Sequence, residues 1–335
     1  MANTDRNRIA LGALAIMALV PLFTQHSYYL FVANVICVNA ILVLALNFIL
    51  GFAGQVFLGT VGFFAVAAYL AALMMVKVGA SFWLAILVSI VGTMLLSVVI
   101  GLPSLRVSGF YLALMSTGFI AVVNDVLRNW SPVTGGVFGI MGIPRPTIFG
   151  FRMGSNLFMY IFSFVMLALV AWLAIRIEDS RFGRAFKAVR DDELALEMLG
   201  VSATYTKVLA FVIAGFYTGI AGSLFVSLHG FVSPEVFTSA YNSLFMCMLV
   251  VGGLSTIPGA ITGAMVLTVL TEVLRPLREK YLTVFALMIL LVLRYEPGGL
   301  YTLLRATISR FRGRRLRRQT PPAVATVGGE ASAVK

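Results

Sequence analysis

The sequence predicts an all-α integral membrane protein, a polytopic bundle of about 10 transmembrane helices with broken helices and one charged cytoplasmic loop. Three observations carry that reading. Apolar residues make up 60% of the chain and its mean hydropathy is +0.98, more than a soluble surface tolerates. No Asp, Glu, Lys or Arg occurs between Arg8 and Lys77; a spanning helix needs only about 20 apolar residues, so this stretch holds several. Finally, 11% of the chain is charged, yet DSRFGRAFKAVRDDELALEMLG, residues 179–200, carries nine charges.

Breaks at Pro, Gly and polar residues place spans near 9–23, 29–50, 58–76, 82–100, 107–124, 154–175, 208–228, 238–256, 259–274 and 281–293. The first and last are short for a full crossing. The first follows Arg6 and Arg8, but no small-residue cleavage site separates it from the next apolar run, so a retained helix is expected rather than a signal peptide. Residues 1–305 then form the transmembrane domain, with the charged loop at 177–207. Residues 306–335 form a basic, disordered tail that contains FRGRRLRRQ and ends in TPPAVATVGGEASAVK. Cys37 and Cys247 both fall inside spans, which argues for packing rather than a disulfide framework or a metal cluster.

Positively charged loops remain on the cytoplasmic side. With the N-terminus inside, inner segments collect 18 of the 25 Lys and Arg: two before the first span, Arg106, six from Arg176 to Lys207 and nine after the last span. Both termini and the charged loop are therefore expected in the cytoplasm. The net charge of +12 follows from topology and anionic headgroups rather than from nucleic acid.

Within the loop, Phe182, Ala185, Phe186 and Val189 recur at helical spacing, with Arg181, Arg184, Lys187 and Arg190 over the remaining faces. Asp191, Asp192 and Glu193 stand where a second short helix would begin, favoured by its dipole. Leu194, Ala195, Met198 and Leu199 give that helix an apolar side, and Gly200 is its stop. Two readings fit: a solvated connector whose basic face lies on lipid headgroups, and a docking element for a cytoplasmic partner.

The loop resembles the coupling loop of ABC-importer permeases. GQVFLGTVGFFAVAAYLAAL, GLPSLRVSGFYLALMSTGF, NWSPVTGGVFGIMGIP, the charged loop, KVLAFVIAGFYTGIAGSL, VVGGLSTIPGAITGA and LRYEPGGL follow in the order of LivM-type branched-chain amino-acid permeases, across roughly residues 30–305. The resemblance implies a transport subunit of the bacterial inner membrane that moves leucine, isoleucine and valine; related permeases carry urea, short amides or other compact solutes. The implied partners are a second related permease, two ATPase subunits that bind the ATP and Mg, and an extracytoplasmic binding protein, with no cofactor in this chain. Coupling to the ATPase would fall to Arg181, Gly183, Arg184, Arg190, Asp192, Glu193, Ala195 and Gly200. The outer loop around Thr134, Gly135, Gly136 and Gly139 would contribute to the external mouth. One segment departs from the family: QVFLGT has Phe57 and Thr60 where a small polar residue and a histidine are usual, which alters the polarity of any pathway lined there.

The glycines support two physical readings. Gly51, Gly54, Gly59 and Gly62 interrupt one apolar region, and Gly252, Gly253, Pro258 and Gly259 another. Paired breaks in two halves, exposing backbone near the membrane midplane, point to a translocation pathway at Gly54, Gln55, Gly59, Gly252, Gly253 and Gly259; close helix packing explains any one glycine equally well. Asn34, Asn39 and Asn47 face the same interior or bond between helices. Asp125 and Glu272 lie at span ends and form no obvious proton relay, Arg128 being placed to pair with Asp125. His26 and His229 are isolated residues with surface or packing roles.

Enzyme signatures are missing. The chain contains no GxxxxGK[ST] phosphate loop, no HExxH and no legible Ser-His spacing. A secondary transporter is the competing class, but it needs no charged coupling loop and more often carries buried ionisable residues.

Overall fold

The computed structural model describes residues 26–105, 107, 109–148, 151–152, 155–274 and 299–302, together with Gly12, Met17 and Arg294. Its helices, in chain order, are α1 (Ser27–Phe52), α2 (Thr60–Val76), α3 (Phe82–Ser104), α4 (Phe110–Asn129), α5 (Ser131–Thr134), α6 (Asn156–Asp179), α7 (Arg181–Asp191), α8 (Glu193–Met198), α9 (Ala203–His229), α10 (Ser239–Gly252) and α11 (Ile257–Leu274). Short strands lie at one end: β1 (Ile140–Met141) pairs antiparallel with β4 (Phe231–Val232), and β2 (Thr147–Ile148) with β3 (Phe151–Arg152). Small polar side chains start most of the later helices. Ser155, Ser180, Asp192, Ser202 and Thr238 each accept a backbone N–H of the first turn, supplying partners that the helix itself lacks.

Helix α1 is apolar on every side and lies at the centre, 89% of its window being buried, as expected of a helix surrounded by others. It packs against α6, α9 and α11, while α2 and α3 pack on α9. The α3–α9 seam is built from small and hydroxylated residues. Ser89 Oγ donates to the Gly219 carbonyl at 3.1 Å and Thr93 Oγ1 to the Gly215 carbonyl at 2.8 Å, the close approach by which helices associate in an apolar solvent. The opposite face of α3 exposes Leu84, Leu87, Val91, Leu95 and Leu102 at helical spacing, a surface suited to lipid or to another membrane chain.

Eight of the ten expected spans fall on described helices. Six of these are long and apolar enough to cross a membrane, while Thr60–Val76 and Ser239–Gly252 are shorter. The spans expected at 9–23 and 281–293, and the tail at 306–335, lie outside the described residues. Helix α1 has 26 residues, about 39 Å at 1.5 Å per residue, longer than a hydrocarbon core of about 30 Å. The first break thus follows a helix long enough for a complete crossing, and it lies beside the charged loop.

Candidate coupling loop and helix breaks

The first break begins where α1 widens into a π-helical turn, Asn47–Phe52, and runs to Gly59 before α2 starts. Gly54 has φ +68°, a conformation that a Cβ disfavours. Three side chains hold this segment. Ser116 Oγ accepts the Leu58 N–H at 2.8 Å, Asn242 Oδ1 accepts the Val61 N–H at 3.3 Å, and Arg190 reaches it from the charged loop. The second break separates α10 from α11 at Gly253–Thr256. Here Ser255 has φ +60°, the positive value for a non-glycine among the described residues, a strain of about 1–3 kcal/mol that its surroundings must hold.

The two breaks are joined to each other. Asn47 Nδ2 donates to the Thr256 carbonyl at 3.2 Å and Asn47 Oδ1 accepts the Ser255 N–H at 3.0 Å, so one amide pairs with the second break as a neighbouring strand would. Ser255 Oγ donates to the Gly51 carbonyl at 2.6 Å. Arg190 completes the node: its Nη1 donates to the same Gly51 carbonyl at 2.8 Å and also bonds Ser255 Oγ. Beside it lies a polar cleft of about 300 Å³ that includes Gly54, Gln55, Gly109, Asp192, Glu193 and Lys207.

The charged loop consists of α7 and α8. As the sequence indicates, the second helix begins among the three acids and Gly200 ends it at φ +79°; its cap is Asp192, which accepts the N–H groups of Leu194 at 2.9 Å and Ala195 at 3.1 Å. The inner stripe of α7 is Gly183, Phe186 and Val189, shifted from the expected one. Phe182 is 38% exposed beneath the Arg181 guanidinium, 5.2 Å from its ring centre. Gly183 belongs inside because a Cβ there would collide with the Glu178 carbonyl. Buried Glu178 is paired with Lys187 at 3.0 Å, and Lys187 also lies over the Phe52 ring. Arg184 bonds the Asp179 carbonyl at 3.5 Å. Glu193 pairs with Lys207 of α9, a partner absent from the sequence-based set. Most of the loop's charges are thus used inside the chain, whereas Leu194, Met198 and Leu199 are 71%, 88% and 80% exposed.

Of the other expected site residues, Gln55 is half-buried, while Gly59, Gly252, Gly253 and Gly259 are buried; Gly252 and Gly259 approach each other between α10 and α11. Phe57 is fully buried, stacked on Phe63 and edge-on to Phe211, and Thr60 is buried with no hydrogen-bond partner for its hydroxyl. At the opposite end of the bundle Thr134 is buried, its hydroxyl donating to the Leu127 carbonyl at 2.7 Å. Gly135, Gly136 and Gly139 all have positive φ in the turn leading to β1. Asn39 bonds Thr268 across helices, Asn34 bonds its own helix at Leu30, and Asn47 joins the node. Asp125 and Arg128 are exposed and do not pair. His229 packs among Phe31, Phe225 and Phe231. Among the described residues both cysteines are free and no metal-binding cluster occurs. Of the node, the sequence marks Asn47 as an interior or interhelical polar residue, whereas Ser255, within VVGGLSTIPGAITGA, carries no motif of its own.

Residues 28–293 match the family model described as "Branched-chain amino acid transport system / permease component". The chain belongs to this permease family. The permease is 32% identical to the high-affinity branched-chain amino acid transport system permease protein LivM of Salmonella typhimurium, over 90% of this chain and 77% of that protein. It is 31% identical to LivM of Escherichia coli over the same shares. Likeness extends to the permease protein LivH of Salmonella typhimurium, 28% identical over 68% of this chain and 78% of LivH. No solved structure matches it. It is a multi-pass membrane protein and a transport subunit.

Proposed function

We propose that this permease is the membrane-spanning subunit of an ABC importer in a bacterial inner membrane, translocating leucine, isoleucine and valine delivered by an extracytoplasmic binding protein. It works beside a second, related permease and two ATPase subunits, which bind the ATP and Mg; both termini and the charged loop are cytoplasmic. The observation that carries the reading is the outer side of α8: Leu194, Met198 and Leu199 stand exposed on a short helix that a cap, an ion pair and the buried stripe of α7 hold in place. An apolar ridge on a rigid support suits a groove on a soluble partner, whereas a solvated connector has no use for an exposed apolar ridge held in place.

The test has two arms. In a chain freed of Cys37 and Cys247, Met198→Cys and Phe138→Cys, at positions 88% and 81% exposed, are treated with a membrane-impermeant thiol reagent in intact cells. Phe138→Cys should react and Met198→Cys should not. In proteoliposomes, the co-expressed complex and its binding protein should take up leucine, isoleucine or valine only with ATP. External labelling at Met198→Cys, or uptake that follows an ion gradient without ATP, overturns the reading.

A further inference from the structure

We infer that Arg190 is a latch that ties the coupling loop to both helix breaks, so that movement of the loop releases the two breaks together. The inference rests on the importer reading for its consequence, though not for its geometry. Arg190 is the last basic residue of α7, next to three consecutive acids, and would be expected to pair with a carboxylate. It pairs with none. Its guanidinium instead spans to the Gly51 carbonyl and the Ser255 hydroxyl, 139 and 65 positions away in the sequence. Its stem lies so close to the first break that a Cβ at Gly54 would meet Arg190 Cγ at 2.7 Å. Gly51 and Ser255 are bonded to each other, so one side chain closes a three-way junction of α1, the α10–α11 connection and the loop.

Both acceptors are neutral. A guanidinium held by neutral oxygens is bound less firmly than one forked onto a carboxylate, so the tie resists thermal motion yet can be broken by a moving loop. The inward stripe of Phe186 and Val189 keeps Arg190 in register with the breaks, and any rotation of α7 about that stripe must withdraw the guanidinium. What is withdrawn is the second donor to Gly51 and the support of the strained Ser255. Arg190 is therefore a positioning residue: it acts on the pathway through backbone that it holds, and it need not touch the transported solute or the ATPase.

The variants are Arg190→Ala and Arg190→Lys in the complete complex. With Arg190→Ala, ATPase subunits should still co-purify and hydrolysis without binding protein should rise. The ratio of stimulated to unstimulated hydrolysis should fall by at least about fivefold, the lower end of ordinary coupling factors. Arg190→Lys keeps a donor cation and should recover much of that ratio; a loop that is merely destabilised would lower both activities together and show no such recovery. An unchanged ratio, or loss of ATPase co-purification with Arg190→Ala, overturns the latch. Amide hydrogen exchange over 51–56 and 253–256 separates the two hypotheses, because it needs no partner. Faster exchange in Arg190→Ala supports the latch even if the parent chain captures no ATPase, a result that would sink the importer reading alone. Unchanged exchange removes the latch whatever the partners do.

Discussion

The two helices of the charged loop, α7 and α8, adjoin in sequence and face opposite ways. Helix α7 has a buried stripe of Gly183, Phe186 and Val189 and spends its cations inward, on Glu178, on the Asp179 carbonyl and on the helix breaks. Helix α8 buries Leu196 alone and turns its other apolar residues outward. In this loop the cations of α7 bond groups of the same chain while their side chains remain exposed, and the apolar residues of α8 other than Leu196 face outward, the reverse of what composition suggests. On the proposed reading, that outward apolar surface is what the ATPase groove would cover.

Removal of the inward anchor should have the largest effect. Phe186 is 1% exposed and lies 6.4 Å from the Phe48 ring, so Phe186→Ala should cost about 3–5 kcal/mol of local stability. The readout is the thermal unfolding midpoint of the purified permease; a midpoint equal to the parent's would mean that α7 is not anchored. The outward face should respond differently. Met198→Asp combined with Leu199→Asp should leave the midpoint unchanged while weakening ATPase binding by about 2 kcal/mol or more, as at the centre of an interface. Loss of folding in that variant, or full ATPase recovery on co-purification, would erase the contrast between the helices. The smallest effect belongs to the joint between them: Asp192→Ala removes a cap that accepts two N–H groups and should cost about 1 kcal/mol. Hydrogen exchange should then quicken at Leu194 and Ala195 and stay unchanged at Phe186; a change at both would make the loop one cooperative piece.

The apolar runs were legible because spanning helices need only length and an absence of charge, and the start of α8 among three acids and its stop at Gly200 because helix ends are local chemistry. The node was not. Asn47, Gly51, Arg190 and Ser255 come from segments far apart in the chain, and no periodicity announces that an arginine flanked by acids will choose a carbonyl instead. Phe182 shows the same limit on a smaller scale: helical spacing placed it on the inner stripe, whereas the fold leaves it 38% exposed. Apart from Asn34, Asn39 and Asn47, helix α1 is apolar all round, so the rest of its sequence holds no face from which neighbours could be inferred.

The seam between α3 and α9 has a practical consequence. Its hydroxyls are bonded to backbone carbonyls and its surfaces meet with little side chain between them, so its cohesion depends neither on acyl chains nor on bilayer thickness. A detergent solvates the outer leucines of α3 as lipid does and gains nothing by entering the seam. During extraction this pair should therefore persist as a unit, and losses on purification should begin at the shorter helices flanking the breaks.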